Sequence, residues 1–154
     1  MGKRRKSREL ALELLFMMDI IGESSDDSVA CDKNPGYNAV ENYLNSREIL
    51  DSVKEFALKL KDGVIQYKEN LDKIISKTAE NWEMSRMPVI DRNILRMAVF
   101  ELLYLGKTSV KIIINEAIEI AKEYSTEESG RFINGVLDKI VKNSVEEKIE
   151  ESNK

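Results

Sequence analysis

The sequence predicts an all-α fold, and three observations carry that expectation. Apolar residues recur at spacings of three, four and seven through most of the chain, the period of an amphipathic helix. Two stretches, Leu10 to Ile21 and Ile94 to Leu105, are each apolar at ten of twelve positions. Two prolines and seven glycines in 154 residues leave little punctuation for strands and hairpins. At 42% hydrophobic and 34% charged, the composition is that of a soluble, helix-rich globular protein. Its length suffices to bury roughly two-thirds of the unfolded surface.

The stretch ILRMAVFELLYL, Ile94 to Leu105, is the expected hub, because a helix apolar all round must be packed on most sides. Pro88 sits just ahead of it, where a missing N–H loses nothing, and Gly106 follows as a left-handed C-terminal cap. Arg96 interrupts the apolar run, so its guanidinium must snorkel or find a carboxylate; Glu101 and Glu116 are the candidate partners in a structural ion pair.

Composition excludes several chemistries. The chain has no histidine and a single cysteine, Cys31. That removes the usual zinc sites, the Ser-His-Asp and Cys-His nucleophiles, and any intrachain disulfide. Gly130 and Gly135 are spaced like the glycines of a phosphate-binding loop, but Val136 stands in place of its lysine. No catalytic residues, metal or cofactor are expected. No apolar run reaches membrane-span length and no signal peptide is visible, so the expected location is the cytoplasm.

Charge is distributed unevenly. Lys3, Arg4, Arg5, Lys6 and Arg8 place five positive charges and no negative one in the first eight residues, so the net −4 of the whole chain leaves −9 on the remainder. These cations open the first expected helix, Lys3 to Ile21, where they oppose the helix dipole at about a few tenths of a kcal/mol each. A polyanion would compensate, because each neutralised phosphate releases counterions. The same run also reads as a solvated terminus. In that helix Leu10, Leu14, Met17, Met18 and Ile21 form a core stripe, whereas Leu12, Leu15 and Phe16 face elsewhere and need a second cover.

Residues 22 to 45 read as a polar connector, with a turn at Asn34-Pro35-Gly36. Ser46 is the expected N-cap of a long helix carrying Ile49, Val53, Phe56, Ala57, Leu60, Val64 and Tyr67, bent at Gly63. A third helix carries Leu71, Ile74, Ile75 and Thr78, and Trp82 anchors a short segment before Pro88. After the hub, VKIIINEAIEIAKEY (110 to 124) buries Ile113, Ala117, Ile120, Ala121 and Tyr124, with Asn115 and Glu116 paired among isoleucines. Ser125 and Glu128 form a capping box for the last helix. That helix runs through Asn143 and buries Ile133, Val136, Leu137, Ile140 and Val141. Gly135 is expected to admit a neighbouring helix. Residues 1 to 143 make one helical domain, and 144 to 154 a charged, fraying tail.

Taken together, the segments INEAIEIAKEYSTEESGRFINGVLDKI (114 to 140), RELALELLF (8 to 16) and DRNILRMAVFELL (91 to 103) resemble, in matching order, the NusB family of bacterial transcription antitermination factors. The resemblance covers nearly the whole chain and is weakest from 22 to 45. It implies about seven helices in two packed bundles. It also implies binding of single-stranded boxA RNA together with ribosomal protein S10 (NusE), within the RNA polymerase antitermination complex that serves ribosomal RNA operons. Carried over residue by residue, RNA binding falls to Lys3, Arg4, Arg5, Lys6 and Arg8, with Phe132 as a stacking aromatic beside Glu128 and Arg131. S10 contact falls to Phe16 and Asp91. Phe16 stands where a tyrosine is frequent, and Ser109 where a proline is common. The rival readings are a helical adaptor that binds only protein, a homodimer hiding one of these faces, and the RNA-binding module of a methyltransferase, whose glycine-rich cofactor loop this sequence lacks.

Overall fold

The computed structural model describes residues 2–21, 35–79 and 83–152. Among these it contains α1 (Lys3–Ile21), α2 (Pro35–Asn45), α3 (Asp51–Thr78), a 3₁₀ turn (Met84–Arg86), α4 (Val89–Phe100), a π-helical turn (Glu101–Leu105), α5 (Val110–Tyr124) and α6 (Glu127–Ser152), and no strand. The expected all-α fold is therefore observed. Two compact units partition the chain, Met1–Asp62 and Gly63–Lys154, with the boundary inside α3.

In the first unit, α1 spans the expected residues, but its core stripe differs. Leu10, Ala11, Leu12, Leu14 and Leu15 are buried, while Ile21 is exposed. Leu12 and Leu15 thus find cover inside the protein. The segment from 35 to 45, expected as connector, is helix α2. Pro35 reads as a turn signal, yet as the first helical residue its missing N–H costs nothing, and Val40 and Leu44 provide an i, i+4 apolar pair that is buried. Tyr43 ties α2 to α1 by donating to Glu13 Oε2 at 2.6 Å. Burial first, and then the Glu13 carboxylate, push this phenol above its usual range and keep it protonated. Arg47 donates to the same hydroxyl. The remainder of the expected connector, Cys31 included, lies outside the described residues, as does Trp82.

Ser46 does not open α3. Its hydroxyl donates to the Tyr43 carbonyl oxygen at 2.8 Å and so closes α2, and α3 begins five residues later. The second and third expected helices are one 28-residue helix, since nothing between Tyr67 and Leu71 breaks it and the buried stripe continues from Val64 through Leu71 to Ile75. Gly63 has a different use from the bend expected of it: a Cβ there would fall inside the ring of Phe100. The glycine lets α3 approach the hub closely.

In the second unit the hub is as enclosed as its sequence requires: every residue from Asn93 to Glu101 is buried. Beyond Phe100 the winding loosens into the π turn, which exposes Leu103 and Tyr104. Gly106 ends it in the left-handed region, φ 60° and ψ 18°, its N–H bonded to the Glu101 carbonyl at 3.0 Å. Arg96 pairs with Asp72 on α3, a residue not among the expected candidates. Nε and Nη2 donate to its two oxygens at 2.7 and 2.9 Å, and Nη1 reaches Asn93 Oδ1 at 3.1 Å. This bidentate geometry is the strong form of the pair. Glu101 is buried and Glu116 half-buried.

Helix α4 packs on α5 and α6, and α5 on α6. Ser109, at the position where the family resemblance makes proline common, N-caps α5 by accepting from the Ile112 amide at 3.3 Å. Asn115, expected among buried isoleucines, is exposed. The glycine at the α5–α6 approach is Gly130, whose Cβ would touch Lys122 and Ile118; around Gly135 there is open space. Helix α6 buries Ile133, Val136, Leu137 and Ile140, leaves Val141 half-buried, and continues to Ser152, past the expected end at Asn143.

Two substitutions test this packing. Gly63→Ala should destabilise the protein by about 1–3 kcal/mol in chemical denaturation through overpacking, and adding Phe100→Leu should recover part of that loss. Asp72→Ala should cost about 2–3 kcal/mol by removing the bidentate carboxylate from Arg96. That is below the roughly 3–5 kcal/mol of a fully buried pair, because the Asp72 side chain is 26% exposed.

Candidate nucleic-acid and partner interface

The cationic end of α1 is built on the first unit. No acidic residue occupies its first turn. Lys3, Arg4 and Lys6 are exposed and Arg5 is half-buried, but Arg8 is only 4% exposed. Arg8, expected to touch RNA, is thus withheld from solvent. Two features hold this turn in place. The Ser7 hydroxyl, itself buried, lies 3.0 Å from both the Lys3 carbonyl within α1 and the Val53 carbonyl on α3. In addition, the Arg4 guanidinium lies 3.8 Å from the centre of the Phe56 ring, and that of Arg8 lies 5.8 Å away. Such stacking is favourable by about 0.5–1 kcal/mol where exposed. In the sequence Phe56 is legible only as one member of a core stripe.

Nearby, a cavity of about 340 Å³ is lined partly by Lys6, Glu9, Glu13, Arg47 and Glu48 over Leu10, Ile49, Leu50 and Val53. With three carboxylates against two cations it is no receptacle for phosphate. The outer face of the turn is therefore the candidate surface for an anion.

The other expected RNA residues stand at the start of α6. Phe132 is half-buried, while Glu128 and Arg131 are exposed. The local cap differs from the expected box by one residue. Thr126 Oγ1, not Ser125, accepts from the Ser129 amide at 3.0 Å, and the helix begins at Glu127. Ser125 lies 2.9 Å from the Ser129 hydroxyl and Thr126 3.1 Å from it. Ser129 in turn donates to Asp91 Oδ2 at 2.7 Å, which bonds the first turn of α6 to the first turn of α4.

That bond revises the expectation for Asp91. Placed on the S10 face by sequence, it is 3% exposed and its carboxylate is turned inward; Oδ1 is buried, and no donor among the described residues reaches it. Phe16, the other expected contact residue, is 40% exposed and lies one turn from Ile20 at 60%, so the two form an apolar ridge on α1.

With this geometry in hand, comparison with known proteins decides the family. The NusB family model matches residues 5–142. The chain belongs to the NusB family. The transcription antitermination protein NusB of Desulfitobacterium hafniense is 40% identical over 150 residues, covering 97% of this chain and 95% of its own. A crystal form of T. maritima NusB superposes with a TM-score of 0.74 at 34% identity, covering 90% of each chain. A crystal structure of the antitermination factors NusB and NusE in complex with dsRNA superposes with a TM-score of 0.73 at 30% identity, covering 93% of this chain and 98% of that one. NusB proteins are transcription antitermination factors, not enzymes. Among the described residues no helix is long and apolar enough to cross a membrane.

Ser129→Ala removes a donor to a buried carboxylate. It should destabilise the protein by about 1–3 kcal/mol in urea titration, whereas the same change at the exposed Ser46 should stay within about 0.5 kcal/mol.

Proposed function

We propose that this chain is a cytoplasmic transcription antitermination factor that binds boxA-type single-stranded RNA together with ribosomal protein S10 (NusE), within the RNA polymerase complex that transcribes ribosomal RNA operons. The observation that carries this reading is the acid-free first turn of α1, with Lys3, Arg4 and Lys6 exposed on a chain whose remainder is strongly negative. A polyanion gives such a turn a counter-charge along its length, and single strands are held by backbone cations together with aromatic stacking. Half-exposed Phe132, flanked by Arg131 and Glu128, supplies the stacking surface, and Arg5 adds to the cations. The naming of the relatives as antitermination proteins supports the reading, as does the NusB–NusE–dsRNA neighbour.

S10 docks on the Phe16–Ile20 ridge, where burying exposed apolar area is favourable by about 25 cal/mol per Å². Asp91 contributes indirectly, by fixing the start of α4 against α6. A patch of a few cations binds weakly at physiological salt, so a second protein that binds the same RNA raises the overall affinity.

Fluorescence anisotropy with boxA RNA, with and without S10, is the test. Lys3→Ala combined with Lys6→Ala should weaken binding and flatten the plot of log K against log salt by about 0.7 for each phosphate no longer neutralised. Phe132→Ala should cost about 1–3 kcal/mol at constant salt. If both variants bound RNA like the wild type, the assignment would fail. A dimer that persists in light scattering with S10 bound would show that any homodimer face and the S10 face do not overlap.

A further inference from the structure

We propose that Phe56 is a positioning residue for RNA binding: its ring holds the Arg4 guanidinium in a fixed plane at the surface, while Ser7 pins the turn that carries it. This deepens the function proposed above and rests on it. A basic segment at a chain terminus ordinarily frays, and ordering arginine side chains on a ligand then opposes binding, because each long side chain surrenders its rotamer freedom. Here much of that ordering precedes the ligand. Ser7, 1% exposed, links the turn to the Val53 carbonyl on α3. One turn further along α3, the half-buried Phe56 presents its face to Arg4 at 3.8 Å. Arg8 stands at 5.8 Å from the same ring and is buried, so it backs the stack and leaves the phosphate to Arg4.

The stacking leaves the guanidinium able to donate. Cation–π attraction uses the faces of the planar group, whereas its N–H bonds lie in the plane around the edge. An arginine flat on a ring therefore keeps its edge available for two phosphate oxygens at once, which a lysine cannot match. The ring thus orients a phosphate donor without competing with the phosphate. Sequence alone marks Phe56 as an ordinary core position; what separates it is that the space over its face is filled by a cation.

The experiment measures anisotropy of a fluorescein-labelled single-stranded boxA RNA with the full chain and S10 present, for wild type, Phe56→Leu, Phe56→Tyr, Arg4→Ala and the Phe56→Leu/Arg4→Ala double variant. Leucine keeps apolar bulk and the fold, which circular dichroism verifies, but removes the aromatic face. Phe56→Leu should weaken RNA binding about two- to fivefold, and Phe56→Tyr should restore it. The double variant should be no weaker than Arg4→Ala alone, since the ring acts only through that arginine. A ring needed only for folding would lose circular dichroism signal in Phe56→Leu and would not show this non-additivity. Wild-type-like binding by Phe56→Leu, or effects that add in the double variant, overturns the proposal while leaving the wider function intact. Failure of the wild type to bind the RNA overturns both.

Discussion

Within the second unit, everything depends on how one positive charge survives inside an apolar helix. Arg96 lies on α4 with buried residues on either side of it along the helix, and its charge persists there because Asp72 offers both oxygens while Asn93 takes a third N–H. The pair does more than neutralise. A guanidinium fork donates to both oxygens of a carboxylate only in its own plane, so the interaction fixes the rotation and height of α3 against the hub. Close approach at Gly63 and Phe100 imposes a second restraint on the same two helices. Two restraints at separate points along a helix pair define their crossing more narrowly than apolar packing, which tolerates sliding.

From that platform the start of α6 inherits its position. Asp91, five residues ahead of Arg96 on the same helix, accepts from Ser129, and Ser129 gathers Ser125 and Thr126 around it. The aromatic at Phe132 and the charges at Glu128 and Arg131 sit within one turn of this knot. In the first unit the same economy recurs with different chemistry, where a serine hydroxyl and an aromatic face steady a turn that would otherwise repel itself. Both proposed binding regions are thus backed by short polar or cation–π links made inside a single unit.

How much of this was legible in the sequence follows from the range of each interaction. Helices α1 and α5 could be read to their ends, because their boundaries are set by local signals: a polar start, an apolar period, and a cap or glycine. The hub was legible because an all-round apolar helix has few destinations. Helix α2 was missed because Pro35 and Gly36 signal a turn as strongly as a helix start, and only the burial of Val40 and Leu44 settles the matter. The one-residue shift of the α6 cap reflects two adjacent hydroxyls, each able to cap the amide three residues on. Asp72 was missed as a partner of Arg96 for a different reason: it lies 24 residues away, and nothing local to either residue announces the pairing. Phe56 was hidden for the same reason, since a ring's partner across a helix pair leaves no trace in the spacing of its own helix. Asp91 shows the converse: a resemblance transfers a position, but whether the side chain points outward is decided by a serine 38 residues away.

One arrangement in the second unit has an optical use. Tyr67 and Tyr104 stack with ring centroids 4.1 Å apart, and Phe100 closes the group at 6.1 and 5.8 Å. Chromophores held this close in an asymmetric setting couple their transitions, so the cluster gives that half of the molecule a near-ultraviolet dichroism signature of its own. Unfolding of residues 63 onward can then be followed without attaching a dye, separately from the half that carries the basic terminus.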